Sequence, residues 1–280
     1  MKLFSSAKIN LFLHITGKRP DGYHNLISLM CRIGLYDTLS LTFNVGKTAV
    51  SCSHPEVPED ETNLAHKAAN LFLKTLNTGK GVKIFIDKKI PVGAGLGGGS
   101  SNAAAVLLGM NRFYGSPYSR KELMHMGLSI GADVPFFIFG KPAIAGGIGE
   151  KLKEYNALEA CHVLLIFPEF NVSTADVYKK LNLGLTKCEK ELKQFILNRE
   201  TIFDVKKYLC NDLETVTSSI YPEIKAAREA LVKNGAEGVL MSGSGPSVFG
   251  LFHDLEKAKK AYDKLSRKSG WQFFLVDMLI

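Results

Sequence analysis

The sequence lacks a hydrophobic run long enough to cross a membrane. Its most apolar stretch, VPFFIFGKPAIAGG, is short and broken, whereas a membrane-spanning helix needs about 20 apolar residues. The segment LFLHI near the start is too short for a signal peptide, and Lys8 interrupts its approach. These absences predict a cytoplasmic protein that has no membrane partner.

Cysteine is scarce and follows no pattern. The five cysteines stand at positions 31, 52, 161, 188 and 210, and no two of them have the CxxC spacing. This scatter argues against a zinc site and against a disulfide framework, and it favours a reducing compartment.

No part of the chain concentrates charge. Lys and Arg number 35 against 27 Asp and Glu, which gives a net charge of +8 and is compatible with an anionic small substrate, a nucleic acid or a membrane surface. Yet the basic residues at 187–193, 206–207 and 257–268 alternate with apolar residues at helical spacing, as on solvated helix faces. A nucleic-acid-binding module needs clustered basic and aromatic residues, so no nucleic-acid partner is predicted.

The chain also lacks repeats and a strict βαβ rhythm, which favours an α+β protein over a doubly wound sheet. The patterns predict strands in FSSAKINLFLHIT, DTLSLTF, KTAVSCS, GVKIFIDKKIP, HVLLIFPE and WQFFLVDML, and a strand–turn–strand in GVLMSGSGPSVFGLF. They predict helices at 63–76 with Asn63 as N-cap, at 100–115 with a serine as N-cap, and in SRKELMHMGLSIG. Further helices are predicted in ADVPFFIFG with Pro135 in the first turn, across 173–233 and in LEKAKKAYDKLSRKSG. A change of composition near 146–160 predicts two domains, 1–155 and 156–280.

Glycine is concentrated in PVGAGLGGGSSNAA, residues 91–104, just before a predicted helix. The loop matches GxGxxG, but no acidic residue lies between Asp87 and Glu122 to bind a ribose, as a dinucleotide fingerprint requires. It also lacks the Gly-Lys-Ser/Thr ending of a P-loop. A phosphate cradle of another kind fits better, because a helix N-terminus favours an anion and the two serines and Asn102 add donors. A tight turn without a ligand is the structural alternative.

The glycine loop resembles the ATP-phosphate loop of the GHMP kinases, the superfamily of galactokinase, homoserine kinase and mevalonate kinase. AKINLFLHITGKRPDGYHNL (7–26), GADVPFFIFG (131–140), NDLE (211–214) and MSGSGPSVFGLF (241–252) resemble one branch of it, whose acceptor is a cytidine diphosphate ester. The resemblance implies a two-domain fold, with an N-terminal domain like ribosomal protein S5 domain 2 and a ferredoxin-like C-terminal domain. It implies that ATP is bound by Pro91, Val92, Gly93, Ala94, Gly95, Leu96, Gly97, Gly98, Gly99, Ser100 and Ser101, with Asn63 and Lys88 lining the adenine pocket.

The resemblance also implies the catalytic pair. Asp133, in the GADVP context, would accept the proton of the acceptor hydroxyl, and Lys8 would be its cationic partner, with Asn10 near the same hydroxyl. From residue type alone, a helix cap ahead of Pro135 is the favoured interpretation of Asp133. Lys8 lies on the polar face of an alternating strand, and without the resemblance a surface lysine is the favoured interpretation there.

The resemblance further implies that Tyr23 and His24 hold the cytosine and that Tyr178 faces the base from the other side. Without it, an exposed aromatic, a solvated histidine and a helix-core tyrosine are the plain interpretations. The second glycine turn, SGSGP at 242–246, is either a hairpin turn or a loop that closes on the substrate near the phosphates.

Magnesium is expected because ATP is used as its magnesium complex. No residue is assigned as a dedicated ligand, so Ser100 or Ser101 and the phosphate oxygens would have to suffice. The expected partners are ATP and a cytidine diphosphate ester, and the chain is expected to be a monomer or a weak homodimer.

Overall fold

The computed structural model describes residues 1–182, 188, 202–267 and 270–280. Within them the strands are β1 (Lys2–Lys18), β2 (His24–Val45), β3 (Ala49–Cys52), β4 (Gly81–Asp87), β5 (Ala143–Gly147), β6 (Lys151–Glu154), β7 (His162–Phe167), β8 (Cys210–Asn211), β9 (Gly238–Met241), β10 (Val248–Phe252) and β11 (Gln272–Leu279). The helices are α1 (Leu64–Thr75), α2 (Gly98–Phe113), α3 (Arg120–Ile130), α4 (Val134–Phe139), α5 (Thr174–Lys180), α6 (Asp212–Ile220), α7 (Pro222–Lys233) and α8 (Leu255–Leu265). This mixture confirms the predicted α+β class.

The long helical pattern predicted at 173–233 is resolved into separate pieces. The helices α5, α6 and α7 fall within it. Residues 183–187 and 189–201, which include most of the basic run at 187–193, lie outside the described residues.

The start of α2 differs from the prediction of a serine cap. The N-cap residue is Gly97, which has a left-handed φ of 70°, and the helix begins at Gly98. Ser100 and Ser101 therefore lie inside the first turn. The serine-cap prediction is wrong because the glycine completes the turn of the backbone before the serines are reached.

Packing divides the chain into two compact units that interleave along the sequence. The first unit comprises Met1–Ala7, Leu35–Val92 and Gly97–Lys141, and the second comprises Lys8–Gly34, Gly93–Leu96 and Pro142–Ile280. These units follow contacts rather than chain order, and the predicted domain division into 1–155 and 156–280 stays a prediction.

The sheet of the first unit places β4 between β3 and the second half of β2. β4 is parallel to β3, with Val50 opposite Ile84, and antiparallel to β2, with Leu41 opposite Ile84. Helices α1 and α2 pack against each other, and both bury alanines, including Ala68, Ala69 and Ala104.

The sheet of the second unit runs in the order β2, β11, β7, β10, β9, and each neighbouring pair is antiparallel. Its strand β7 is buried along almost its whole length, as its apolar sequence HVLLIF requires. The first half of β2 also pairs with β5, and β8 lies parallel to β1. One buried core joins this sheet to helices of the same unit, and its members include Leu13, Ile15, Leu164, Ile166, Leu213, Ile224, Leu231, Met241, Val248, Phe252 and Leu265.

The cysteine prediction needs one correction. Cys188 and Cys210 form a disulfide, with Cα atoms 5.7 Å apart, whereas Cys31, Cys52 and Cys161 are free. The two paired residues stand 22 positions apart, so no short spacing in the sequence indicates that folding brings them together.

Candidate functional site

In the first unit, the N-terminus of α2 has features that favour an anion. The amide groups of a first helical turn have no partners inside the helix, and the helix dipole adds positive potential there. No acidic residue lies in the first turn of α2. Ser100 is half-buried and Ser101 is buried. This turn therefore has the properties expected of the predicted phosphate cradle.

A buried carboxylate, that of Asp37, connects this turn to neighbouring strands. Asp37 accepts hydrogen bonds from the backbone N–H groups of Lys89 and Ile90 at 2.7 and 2.8 Å and from Asn102 Nδ2 at 2.9 Å. The ammonium of Lys88 lies 2.9 Å from Asp37 Oδ2, and both side chains are buried. Asp37 thus joins β2 to the end of β4 and to the first turns of α2.

Two residues with predicted roles at the ATP site, Asn102 and Lys88, take part in this network. Asn102 Nδ2 donates to Ser5 Oγ at 2.7 Å as well as to Asp37, so both of its protons are used and the expectation that it adds a donor for the anion is wrong. The Lys88 ammonium donates to Asp37 and to the carbonyl oxygen of Ile90. Burial lowers the pKa of Lys88, although the Asp37 carboxylate opposes this effect. The adenine-pocket role of Lys88 stays a prediction.

Asp133 occupies the N-cap position of the short helix α4, and Pro135 lies in the first turn as expected. Among the described residues, no amide of that turn donates a hydrogen bond to the Asp133 side chain, so it is not a helix-capping aspartate. Two residues earlier, Gly131 lies close to α2, because a Cβ placed on Gly131 would be 3.7 Å from Ser100 Oγ. The segment that carries Asp133 therefore adjoins the first turn of α2.

Asn63 is the N-cap of α1. Its Oδ1 accepts a hydrogen bond from Ala65 N at 2.8 Å, and its Nδ2 donates to Pro58 O at 2.7 Å. The capping role is confirmed, and a place in the adenine pocket stays a prediction.

In the second unit, Lys8 and Asn10 lie on one face of β1 and are buried with Ser28 of β2. Lys8 Nζ donates to Asn10 Oδ1 at 2.6 Å, and Asn10 Nδ2 donates to Ser28 Oγ at 2.8 Å. The backbone N–H of Lys8 donates to the carbonyl of Leu96 at 2.9 Å, which ties β1 to the glycine loop. Lys8 is therefore not the solvated surface lysine that its residue type alone would allow.

The tip of the glycine loop packs against the second glycine turn. Ser242 Oγ donates to Gly95 O at 3.0 Å, and a Cβ on Gly95, whose φ is +75°, would overlap the carbonyl oxygen of Ser242. Ser247 N donates to Ala94 O at 3.4 Å. At Gly95, then, the close neighbour that excludes a side chain is the protein's own backbone.

Three side chains hold the second glycine turn in place. Asn211 Nδ2 donates to Met241 O at 2.9 Å and to Gly243 O at 2.7 Å, while its Oδ1 caps α6. Thr217 Oγ1 donates to Ser244 O at 3.1 Å, and the hydroxyl groups of Thr174 and Ser244 lie 2.8 Å apart. The turn is consequently a supported element rather than a bare hairpin connection.

Of the three residues predicted to hold a base, His24 and Tyr178 have rings in contact with each other. His24 is buried, and its ring centroid is 5.2 Å from that of Tyr178 at an interplanar angle of 34°. Tyr23 is 59% exposed, beside the turn at 19–23. Burial, and secondarily the charge of Lys18, lower the pKa of His24. A lowered pKa favours the neutral imidazole, which offers one donor and one acceptor.

A second buried pair consists of His14, on the same strand as Lys8, and Asp212, the first residue of α6. His14 Nδ1 is 2.7 Å from Asp212 Oδ2, which also accepts a hydrogen bond from Ile15 N at 2.8 Å. Burial raises the pKa of Asp212, but hydrogen bonds from His14, Ile15 N and Cys188 N outweigh it, so the pKa lies below its ordinary value. The contact between His14 and Asp212 connects β1 to the start of α6.

Several of these residues escaped prediction. Asp37 carried a weak signal, since a charged residue interrupts an otherwise apolar alternation. Ser28 and Thr217 carried none, because a single hydroxyl in a strand or a helix is common.

Among the described residues, no three histidine, cysteine, aspartate or glutamate side chains are grouped so that they could hold a metal ion. Nor does the described part of the chain contain a helix with the length and apolar character needed to cross a bilayer.

Two family descriptions match the chain. Residues 63–141 match the GHMP kinases N terminal domain, and residues 197–270 match the GHMP kinases C terminal domain. The first match contains the glycine loop and Asp133, and the second contains Asn211 and the second glycine turn.

Full-length relatives are similar over nearly the whole chain. A protein of Syntrophotalea carbinolica named 4-diphosphocytidyl-2-C-methyl-D-erythritol kinase is 44% identical over 272 residues, which are 97% of this chain and 96% of the relative. A protein of the same name from Geobacter metallireducens is 43% identical over 281 residues, which are 100% of this chain and 99% of the relative.

Solved structures agree with the fold. A crystal structure of 4-(cytidine 5'-diphospho)-2C-methyl-D-erythritol kinase matches with a TM-score of 0.80 at 33% identity and covers 100% of both chains. Homoserine kinase from Cytophaga hutchinsonii matches with a TM-score of 0.79 at 20% identity, over 100% of this chain and 94% of that one. At that identity the second match concerns the fold alone.

Proposed function

Since this chain belongs to the GHMP kinases, and within them to the family of 4-diphosphocytidyl-2-C-methyl-D-erythritol kinases, we propose that it phosphorylates that alcohol with ATP. The reaction transfers the γ-phosphoryl group of ATP to the 2-hydroxyl of 4-diphosphocytidyl-2-C-methyl-D-erythritol, a step in the non-mevalonate route to isoprenoid precursors. GHMP kinases use ATP as co-substrate, and a net charge of +8 suits two anionic ligands.

The observation that carries the proposal is the adjacency of two elements of the first unit. The first turn of α2 offers amides and a dipole to phosphate oxygens, and the segment with Asp133 lies against Ser100 of that turn. Phosphoryl transfer needs positioned phosphates and a group that accepts the proton of the attacking hydroxyl. We assign the second task to Asp133.

Lys8 is proposed as the cationic group of the reaction. Its ammonium would stabilise the negative charge that develops on the acceptor oxygen and would be the cationic partner of the Asp133 carboxylate. Asn10, which accepts a hydrogen bond from Lys8, is proposed to lie near the same hydroxyl. Tyr23, His24 and Tyr178 are proposed to hold the cytosine ring.

Magnesium fits this proposal because ATP is used as its magnesium complex. With no acidic residue in the first turn of α2, the hydroxyl group of Ser100 or Ser101 and the phosphate oxygens would hold the ion. When bound, magnesium neutralises part of the phosphate charge. The monomer or weak homodimer and the cytoplasmic location stay predictions.

A coupled assay of ADP release with magnesium and ATP tests the proposal. One reaction contains 4-diphosphocytidyl-2-C-methyl-D-erythritol, and a second contains the same acceptor without its cytidylyl group. Homoserine and mevalonate serve as further acceptors. We expect turnover with the first acceptor alone. Turnover with homoserine or mevalonate but not with the cytidylyl compound would overturn the proposal.

A further inference from the structure

We propose that Ser28 is a positioning residue, which orients Asn10 and, through it, the ammonium group of Lys8 for phosphoryl transfer. The inference rests on the proposed function, because it takes from it the role of Lys8. Ser28 lies on β2, which pairs with β1, the strand that carries the other two residues.

The hydrogen bonds form a chain with one direction. Lys8 Nζ donates to Asn10 Oδ1 at 2.6 Å, Asn10 Nδ2 donates to Ser28 Oγ at 2.8 Å, and Ser28 Oγ donates to Phe12 O at 2.6 Å. Each link is short, and each is made by a buried side chain.

The chemistry of the two ends determines the orientation of the amide between them. Ser28 has a single hydroxyl proton, which it gives to the Phe12 carbonyl, so toward Asn10 it can only accept. An ammonium group can only donate, so Asn10 must present its oxygen to Lys8. Rotating the amide by half a turn would place the Asn10 NH₂ group against the Lys8 ammonium, where both can only donate. It would also place the Asn10 oxygen against the Ser28 oxygen, whose proton is given to Phe12.

Burial prevents solvent from replacing Ser28. The exposed fractions are 4% for Lys8, 2% for Asn10 and 0% for Ser28. A buried amide that loses its acceptor keeps the full desolvation penalty, which favours its rotation toward another partner. Such a rotation would turn Asn10 Oδ1 away from Lys8.

The position of a lysine ammonium depends strongly on a hydrogen-bonding neighbour such as Asn10. Its ammonium stands on a flexible four-carbon stem with three rotatable donors, so its position is set by what it contacts. Transfer rates are sensitive to displacements of about 1 Å, which can cost up to about 100-fold. Ser28 therefore affects the rate through geometry, without contact with either substrate.

The decisive variants are Ser28→Thr and Ser28→Val. They have nearly the same volume and differ in the hydroxyl group, so overpacking is common to both. We expect Ser28→Val to lower kcat by about 10- to 100-fold relative to Ser28→Thr, with little change in the KM for ATP. Ser40→Val, at an exposed serine of the same strand, is the control and should retain the wild-type kcat.

A double-mutant cycle separates positioning from general destabilisation. If Ser28 acts through Asn10, then Ser28→Ala should lower kcat in the wild-type background and have little further effect in Asn10→Ala. Circular dichroism and thermal melting of every variant show whether the fold is kept. Equal kcat for the threonine and valine variants, or an undiminished effect of Ser28→Ala in the Asn10→Ala background, would overturn the inference.

These outcomes are distinct from those that bear on the proposed function. A wild-type protein without turnover of the cytidylyl acceptor contradicts the function and removes the role of Lys8 on which the inference rests. A wild-type protein that turns over this acceptor, with Ser28→Val as active as Ser28→Thr, contradicts the positioning role alone.

Discussion

At the level of single residues, Gly95 shows why the loop is so rich in glycine. Its φ is +75°, and a side chain there would overlap the carbonyl oxygen of Ser242 in the second glycine turn. A ligand is therefore not the only reason for a missing side chain. Gly97 is used differently, since it is the N-cap of α2 and has a left-handed conformation that glycine adopts readily.

Replacing Gly95 by alanine should displace the two glycine turns from each other. The left-handed backbone alone costs about 1–2 kcal/mol for an L-residue, and the overlap with Ser242 adds to it. We expect a lower melting temperature and weaker ATP binding by calorimetry. The control is Gly99→Ala, at a position inside α2. Its Cβ would lie 3.6 Å from Leu64 Cδ1, an ordinary contact distance. This variant should leave stability unchanged or raise it by up to about 1 kcal/mol. Equal stability of the two variants would contradict this account.

Asp133→Asn should remove the proton acceptor while leaving the shape of the side chain. The expected loss in kcat is roughly 10²- to 10⁴-fold, with ATP affinity retained. Steady-state kinetics and nucleotide titration measure the two effects separately. Asp254→Asn, at the exposed N-cap of α8, is the matched control and should leave kcat unchanged. Near-wild-type turnover of Asp133→Asn would remove Asp133 from the mechanism.

His24→Ala should weaken the cytidylyl substrate and spare ATP. Burial lowers the pKa of His24 and so favours the neutral ring, which offers a donor and an acceptor that can recognise the edge of a base. We expect the KM for the cytidylyl acceptor to rise by about tenfold or more, the loss of one or more hydrogen bonds, with little change for ATP. His125→Ala, at an exposed position of α3, is the control. Equal losses for both substrates would place His24 outside the base site.

At the level of elements, Asp37 explains how the strands of the first unit hold the start of α2. Its carboxylate joins backbone amides after β4, the Lys88 ammonium and the Asn102 amide. The first turn of α2, which we propose as the phosphate site, is thus attached to the sheet by a buried ion pair and by direct hydrogen bonds.

Asp37→Asn should be strongly destabilising. It leaves the buried Lys88 ammonium without its counter-charge, and breaking a buried pair on one side costs about 3–5 kcal/mol. The matched control is Asp87→Asn, which breaks the 3.5 Å pair with Lys89 where the side chains are 43% and 64% exposed and should cost about 0–1 kcal/mol. Urea unfolding measures both. A loss for Asp37→Asn no larger than the control's would show that the pair does not support the turn.

At the level of the whole molecule, the dependence of stability on pH follows from the ionisable groups. The net charge of +8 grows as carboxylates are protonated, and self-repulsion then disfavours the compact state. Asp212 adds a specific contribution, since its pKa is lower in the folded protein than in the unfolded chain. A lowered carboxyl pKa stabilises the fold above the unfolded value of about 3.9, and this contribution is lost as the pH falls through the folded value.

Asp212→Asn should therefore lower stability at pH 7 and flatten its decline below about pH 4. Urea unfolding of wild type and variant between pH 7 and pH 3 measures the difference. Asp254→Asn is again the control: its carboxyl pKa is also lowered, but it is exposed, so solvent screening keeps the effect small. Parallel pH curves for wild type and Asp212→Asn would contradict a stabilising role for the His14–Asp212 pair.

Local patterns in the sequence were sufficient for most elements of this fold. The alternation around Lys8 predicted β1, helical spacing with Asn63 predicted α1, and Pro135 predicted the start of α4. Resemblance of motifs indicated the family. These inferences succeed because backbone preference, periodicity and capping act between residues only a few positions apart.

Contacts between residues far apart in the sequence could not be predicted from these local patterns. Ser242 meets Gly95 across 147 positions, His14 meets Asp212 across 198, and Lys88 meets Asp37 across 51. The prediction that Asn102 offers a donor to the anion failed for the same reason, since its partners Ser5 and Asp37 are 97 and 65 positions away. Residue types and spacing indicate which groups can bond, but which donor meets which acceptor depends on how the buried faces pack, and packing is a property of the folded chain.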